Sequence, residues 1–213
     1  MGEITEKTAI TDPAELRRLL GDPVPRAVSK ERVTLHARDR DWIAASPFLI
    51  LATSDAEGNC DASPKGDPAG FVRVLDDHTL AVPERPGNRR ADGYLNILSN
   101  PHVGLIFLVP GRKETLRVNG RAHLVREAAY FDDMVVRGHR PILAVEVEIE
   151  QIFFHCAKAF MRSHLWEPDR WSTGDLPSPA QLVKDLQPDV TETVEQLEQY
   201  YAPENYEPKL YQG

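Results

Sequence analysis

The sequence predicts a mainly β protein with flanking helices, an α+β fold built on a β-barrel. Short apolar runs and stretches of polar–apolar alternation recur between turn signals in the middle of the chain, which is typical of strands. Helical patterns are confined to the two ends and one central segment. The strand–helix alternation of a doubly wound sheet is missing, and neither G-x-G-x-x-G nor G-x-x-x-x-G-K-[ST] occurs.

Two short helices are expected before the first strand. In "TDPAELRRLLGDP", Asp12 can cap a helix, Pro13 suits its first turn, Glu15 stands at the capping-box position and Gly21 ends it. A second helix is predicted at about residues 38 to 45, before Pro47.

The strands are predicted from two kinds of pattern. "FLILAT" (48–53) and "VGLIFLVPG" (103–111) are short apolar runs typical of buried strands, and "GFVRVLDDHTLAVP" indicates two strands joined at Asp76 and Asp77. "ETLRVNGRAHLV" and "PILAVEVEIE" alternate strictly, which predicts strands with one wet or ligand-facing side. "DASPKGDPAG" is interpreted as a loop, and the tail from residue 178 as helical.

These patterns divide the chain into a barrel with two extensions. We predict an N-terminal helical extension at 1–45, a barrel at 46–170 and a C-terminal helical extension at 171–213 packed on the barrel.

Composition favours a small anionic ligand over a polyanion. The chain has 213 residues, 41% hydrophobic, with a net charge of −8. Residues 85 to 121 hold seven Arg and Lys against two acidic residues, whereas residues 177 to 213 hold two Lys against seven. Because a nucleic-acid binder is usually basic overall, this local positive site on an acidic chain argues against nucleic acid.

No membrane segment, secretory signal or metal motif is predicted. No apolar run approaches the roughly 20 residues of a membrane span, and the first residues lack a basic end and an apolar core. The two cysteines, Cys60 and Cys156, do not form a disulfide framework. We therefore expect a cytoplasmic protein with free thiols and no metal.

The stretch "RPGNRRADGYLNIL" (85–98) points to a phosphate site. Arginine offers a planar fork of donors for phosphate oxygens, and the N–H groups at a helix start add to the attraction. Arg89 and Arg90 lie at the turn into the helix, without compensating acids close in sequence except Asp92, which could orient a guanidinium. Leu95 and Leu98 are expected to anchor this helix. Ordinary surface ion pairs are the alternative.

Two further stretches could contribute to the site. In "HCAKAFMRSHLW", His155, Lys158 and Arg162 would share one helix face, and Trp166 could cover a ring; a solvated face and a core Trp are the alternative. "DASPKGD" brings Ser63 and Lys65 into a loop.

These stretches, in this order, resemble the pyridoxamine 5′-phosphate oxidase-like family of FMN-binding split barrels. The resemblance covers roughly residues 45 to 170, from "FLILATSDAEGNCDASPKGD" through "RPGNRRADGYLNILSNPHVGLIFLVPG" and "ETLRVNGRAHLV" to "VEIEQIFFHCAKAFMRSHLW". It implies a homodimer with FMN at the subunit interface and a fold of the split-barrel type.

The resemblance also implies roles for individual residues. Arg89 and Arg90 match the basic pair that holds the FMN phosphate, and Ser63 and Lys65 fall where the isoalloxazine edge is lined. Thr115 matches a polar flavin contact, while His155 and Arg162 stand where an aromatic and an arginine close the site. The full set of predicted cofactor-binding residues is Ser63, Lys65, Arg85, Asn88, Arg89, Arg90, Thr115, Arg117, His155, Lys158, Arg162 and Ser163.

The predicted function is an FMN-dependent oxidoreductase acting on a small organic substrate, with no protein nucleophile and no assigned catalytic residue. "ASPKGD" and "MRSHLW" depart from the R-x-V-L-L-K and R-L-H patterns of the vitamin B6 oxidase, so that oxidase activity is not expected. An F420-dependent split-barrel reductase is one alternative. A non-catalytic flavin or haem carrier, with His155 as a conceivable haem ligand, is another.

Overall fold

A computed structural model describes residues 8–172, 174 and 176–212. The chain divides into two compact units, one up to residue 31 and one from residue 32 onward. The helix predicted near residues 38 to 45 belongs to the second unit. The other predicted domain boundaries stay predictions.

One antiparallel sheet of seven strands dominates the second unit of the described chain. Its strands are β1 (Phe48–Ser54), β2 (Cys60–Gly66), β3 (Arg73–Val74), β4 (Thr79–Pro83), β5 (His102–Leu108), β6 (Thr115–Val125) and β7 (Ala144–His155). Their order across the sheet is β2-β1-β5-β6-β7-β4-β3. The predicted fold class, mainly β with flanking helices, is confirmed.

The helices lie at both ends of the chain, except for one between β4 and β5, as the sequence pattern predicts. They are α1 (Pro13–Leu20), α2 (Pro25–Val28), α3 (Ala37–Ala45), α4 (Asp92–Ser99), α5 (Lys158–Ser163), α6 (Pro179–Leu186), α7 (Val194–Tyr201) and α8 (Pro203–Tyr206). The predicted cap of α1 is present, since Asp12 Oδ1 accepts a hydrogen bond from the Ala14 N–H at 2.9 Å. In the described chain, no helix has the length and apolarity needed to cross a membrane.

The core follows the two strand patterns. Leu49 and Leu51 of β1 are fully buried, as are Leu116 and Val118 of the alternating strand β6. Side chains that alternate along a strand point to opposite faces, so one face of β6 enters the core and the other stays accessible.

The interpretation of "DASPKGDPAG" as a loop was wrong for its first half. Residues 60–66 form β2, which pairs along its whole length with β1 and lies at the edge of the sheet. Pro64 lacks an N–H donor, and an edge strand is the place in a sheet where proline is tolerated. The strand carries Ser63 and Lys65 along the rim of the candidate site.

Gly120 allows β6 and β7 to approach each other at a register shift. A Cβ atom at this position would lie 2.0 Å from the backbone oxygen of Glu148, next to the irregularity between Asn119 and Gly120. Because backbone cannot yield as a flexible side chain does, we expect Gly120→Ala to lower the free energy of unfolding by about 1–3 kcal/mol. Chemical denaturation measures this loss.

Gly87→Ala is the matched control, since nothing lies within 4 Å of its Cβ position. This change should alter the free energy of unfolding by less than about 0.5 kcal/mol. Equal losses in the two variants would contradict the close approach at Gly120.

Candidate functional site

A cleft of about 490 Å³ opens where β2, the end of β4 and the start of α4 come together. Half of the predicted cofactor-binding residues line it: Ser63, Lys65, Arg85, Asn88, Arg89 and Arg90. Four acidic residues line it as well: Asp61, Asp67, Glu84 and Asp92. The cleft is therefore lined by both positively and negatively charged side chains.

The turn into α4 holds two residues in a left-handed backbone conformation. Arg89 has φ 61° and Ala91 has φ 60°, and the Arg90 N–H donates to Asn88 Oδ1 at 3.1 Å. Residues with side chains seldom adopt positive φ, and such strained positions cluster at ligand sites. The chain thus accepts local strain at the predicted phosphate turn.

The start of α4 also lacks a side-chain cap. Its N-cap residue is Ala91, which has no polar side chain. Among the described helices of eight residues or more, the others are capped by Asp12, His36, Ser178 and Thr193. Since the first N–H groups of a helix have no intrahelical partners and carry its positive dipole end, this uncapped start can receive an anion.

Ion pairs occupy most of the cations in the cleft. Arg85 Nε lies 2.7 Å from Asp67 Oδ2, and Arg90 Nε lies 2.7 Å from Asp92 Oδ2. The expectation that the cluster has no compensating acids close in sequence was therefore wrong for Arg90, which pairs with the nearby Asp92, whereas the partner of Arg85, Asp67, is distant in sequence. Arg89 is the one cation lining the cleft for which the described residues provide no ion-pair or hydrogen-bond partner.

Leu95 and Leu98 do not anchor α4 within the single chain. Their exposed fractions are 61% and 73%, whereas Ile97 is only 4% exposed. Gly93 brings the helix close to the sheet, because a Cβ there would lie 3.2 Å from Asp61 Oδ2. The predicted helix is present as α4, but the prediction that Leu95 and Leu98 form its buried face was wrong.

Lys65 enters a three-residue network that the sequence did not reveal. Its Nζ lies 2.8 Å from Glu84 Oε2 and also bonds to the Tyr94 hydroxyl, which itself donates to Glu84. Burial, and then the hydrogen bond and charge of Glu84, raise the pKa of Tyr94. Tyr94 stands inside the stretch 85–98 and Glu84 directly precedes that stretch, but their meeting with Lys65 brings together β2 and the end of β4, which lie toward opposite ends of the strand order.

A second hydrogen-bond network at the cleft edge includes Tyr211 of the C-terminal segment. Asp67 accepts a hydrogen bond from Arg85 Nε at 2.7 Å and one from the Tyr211 hydroxyl at 2.5 Å. Arg85 also donates to the backbone oxygens of Met134, at 2.6 Å, and His139, at 3.2 Å. Arg85 therefore holds the structure of the cleft edge together.

Tyr211→Phe should make stability less sensitive to high pH. Burial and the hydrogen bond to Asp67 raise the pKa of Tyr211, so the folded chain keeps this proton to a higher pH than the unfolded chain. The stabilisation is complete below the unfolded phenol pKa of about 10 and is lost as pH rises above it. The phenylalanine variant should have a free energy of unfolding about 1.5 kcal/mol lower at neutral pH. Its stability should then fall less than that of the wild type as the pH rises.

Denaturation of both proteins between pH 7 and pH 11 tests this expectation. Parallel stability curves over the whole range would show that the phenol of Tyr211 does not contribute.

The remaining predicted residues lie elsewhere in the described structure. Thr115 is buried and paired with His155 across β6 and β7, and the Arg117 guanidinium lies 5.1 Å from the centre of the Phe153 ring. Lys158, Arg162 and Ser163 are on α5. The expected shared helix face was wrong for His155, because His155 is the last residue of β7 and α5 begins at Lys158.

The described cysteines and metal-ligating side chains provide no further site. Cys60 and Cys156 are exposed free cysteines. The residues that the structure describes contain no group of three or more His, Cys, Asp or Glu side chains that could hold a metal ion.

Fold and cleft together define an α+β protein with one antiparallel sheet and a polar cleft at its edge. The profile of the pyridoxamine 5′-phosphate oxidase family matches residues 35–156, which is more than half of the chain. The chain belongs to this family, and the predicted split β-barrel is confirmed.

The chain is also similar to the solved structures of three bacterial proteins. HupZ of Group A Streptococcus is 24% identical, with 56% of this chain and 93% of that chain covered and a TM-score of 0.46. A candidate pyridoxamine 5′-phosphate oxidase of Lactobacillus delbrueckii is 26% identical, covering 57% and 95%, with a TM-score of 0.45. An FMN-binding protein of Syntrophomonas wolfei is 12% identical, covering 67% and 96%, with a TM-score of 0.43. No curated protein matches the chain significantly.

Proposed function

We propose that the protein is an FMN-dependent oxidoreductase acting on a small organic substrate, with the FMN phosphate bound at the start of α4. The observation that carries this proposal is Arg89, which has no ion-pair or hydrogen-bond partner among the described residues, beside the uncapped, strained start of α4. A guanidinium and the first N–H groups of a helix together suit a phosphate, because both supply donors to its oxygens.

The cleft fits a ligand of this kind in size and chemistry. Its volume of about 490 Å³ falls within the roughly 300–1,000 Å³ of small-molecule sites. Arg90 can add to the phosphate contacts, since its side chain is 73% exposed and an exposed ion pair opens at little cost. Asn88 shapes the turn through the Arg90 N–H.

The rest of the cleft wall would face the flavin ring. FMN supplies hydride or electron transfer when it is bound, and the protein positions it and tunes its potential. Ser63 and Lys65 project from β2 into this wall, and Lys65 is held there by Glu84 and Tyr94. No side chain of the cleft is assigned a nucleophilic role.

A homodimer would account for the two separate groups of predicted residues. The lining of the cleft does not include Thr115, His155, Lys158 or Arg162, and the family resemblance implies a site at a subunit interface. We propose that the exposed His155, Lys158 and Arg162 reach the cleft of a second copy, whereas Thr115 is buried within its own chain. The exposed Leu95 and Leu98 on α4 suit burial at such an interface.

Mixed dimers test the shared site. One copy would carry Arg89→Ala, and the other Lys158→Ala with Arg162→Ala. Each variant alone should lose tight FMN binding, whereas a mixed dimer has one intact site and should bind FMN at half of its sites. A monomer in sedimentation, or no recovery in mixed dimers, would contradict a shared site.

The absorption spectrum of the purified protein tests the function itself. We expect a yellow protein that releases FMN on denaturation, or a colourless one that FMN reconstitutes. Parallel titrations with FMN, riboflavin and F420 separate the candidates: riboflavin should bind much more weakly than FMN, because it lacks the phosphate. Tighter binding of F420, or failure to bind any flavin, would overturn the proposal.

A further inference from the structure

The cleft contains an ion pair whose chemistry the proposed phosphate site does not use. Lys65, Glu84 and Tyr94 come from β2, from the residue after β4 and from α4. The Lys65 Nζ lies 2.8 Å from Glu84 Oε2, and the side chains of this pair are only 15% and 22% exposed. All three residues line the cleft.

The backbone around Glu84 fixes where its carboxylate stands. The Glu84 N–H donates to the oxygen of Leu143 at 2.8 Å, and the Ile142 N–H donates to the oxygen of Glu84 at 3.2 Å. The Tyr94 hydroxyl donates to the same carboxylate oxygen that Lys65 contacts. The backbone hydrogen bonds and the Tyr94 hydroxyl hold the Glu84 carboxylate in place. Glu84 can therefore fix the position of the flexible Lys65 side chain.

This network leaves one part of the cleft wall without net charge. Glu84 cancels the charge of Lys65, and the raised pKa of Tyr94, caused first by burial, keeps its phenol uncharged. Arg89 has no such acid among the described residues.

We propose that Glu84 is a positioning residue that fixes the Lys65 ammonium in the cleft wall and cancels its charge, so that bound FMN has a lower midpoint potential than an uncompensated Lys65 would set. This inference rests on the proposed function. Two electrons and one proton taken up from a chemical reductant add one negative charge to the cofactor. A nearby uncompensated cation favours the reduced state, and an acid that pairs with the cation removes much of that preference.

The test measures midpoint potentials of the FMN-loaded protein, with dithionite as reductant and a reference dye. Glu84→Gln keeps the shape of the side chain and leaves Lys65 uncompensated, so the potential should become more positive. Lys65→Met leaves the carboxylate alone and should make the potential more negative. The double variant restores the net charge and should return close to wild type.

Asp133→Asn is the matched control, because it makes the same acid-to-amide change in an exposed pair with Arg73 outside the cleft lining. Its potential should equal that of the wild type. An unchanged or more negative potential in Glu84→Gln would overturn the inference while FMN binding, and thus the proposed function, still held. A wild-type protein that binds no FMN would overturn both.

A purely structural role for the network predicts a different pattern. Both single variants would then lose thermal stability without opposite shifts in potential, and that outcome overturns the inference. Should Glu84→Gln fail to fold, Lys65→Met alone remains decisive, since a potential unchanged from wild type would show that the ammonium does not act on the cofactor.

Discussion

Arg89→Ala is expected to weaken FMN binding roughly 10- to 100-fold, the effect of losing about 1.5–3 kcal/mol of charge-assisted hydrogen bonding. The guanidinium of Arg89 has no partner in the described chain, so it is free to serve the phosphate. Titration of the apoprotein, followed by quenching of flavin fluorescence, gives the two dissociation constants.

Three comparisons sharpen this expectation. Riboflavin, which lacks the phosphate, should bind the wild type and Arg89→Ala equally. Arg73→Ala removes a positive charge outside the cleft lining and should leave FMN affinity unchanged. An FMN affinity of Arg89→Ala within about twofold of wild type would move the phosphate away from this turn.

Arg89→Gly separates the side chain from the backbone. Arg89 has φ 61°, a conformation that glycine adopts without strain. We expect Arg89→Gly to lose FMN affinity as Arg89→Ala does, but to raise the stability of the apoprotein by about 1 kcal/mol. A loss of stability in this variant would show that the turn is not strained.

Asp67→Asn is expected to cause the largest loss of stability, about 3 kcal/mol or more. The Asp67 side chain is 1% exposed and its partner Arg85 is 11% exposed, so the change leaves a buried guanidinium without its counter-charge. The hydrogen bond from the Tyr211 hydroxyl weakens at the same time. Urea denaturation of the apoprotein measures the change in the free energy of unfolding.

The exposed pair of Arg73 and Asp133 provides the control for Asp67. Its side chains are 50% and 55% exposed, and Asp133→Asn should cost at most about 1 kcal/mol because water screens the pair. If the two variants lost equal stability, the buried pair at the cleft edge would have no special structural role.

The network around Asp67 also revises the role of Arg85. The sequence grouped Arg85 with Arg89 and Arg90 because all three stand in one short stretch. In the structure, Arg85 donates to Asp67 and to two backbone oxygens, whereas the part of the chain that is described provides no partner for Arg89. Residues that are neighbours in sequence can thus have different roles, one structural and one in ligand binding, because their side chains leave a turn in different directions.

The sequence by itself determined the local elements. The apolar runs of β1 and β5, the alternation of β6 and β7, the Asp12 cap of α1 and the turn into α4 depend on residues within a few positions of one another. Hydrophobic period, capping chemistry and turn preference act over that range, so they can be read along the chain.

Only the tertiary structure decided which distant groups meet. It made "DASPKG" an edge strand, turned Ile97 rather than Leu95 and Leu98 inward, and brought Glu84 and Tyr94 to Lys65. It also paired Arg85 with Asp67 and separated α5 from the cleft within one chain. Each of these outcomes depends on strand pairing and burial between segments far apart in sequence, and a linear pattern does not encode the directions in which those segments face one another.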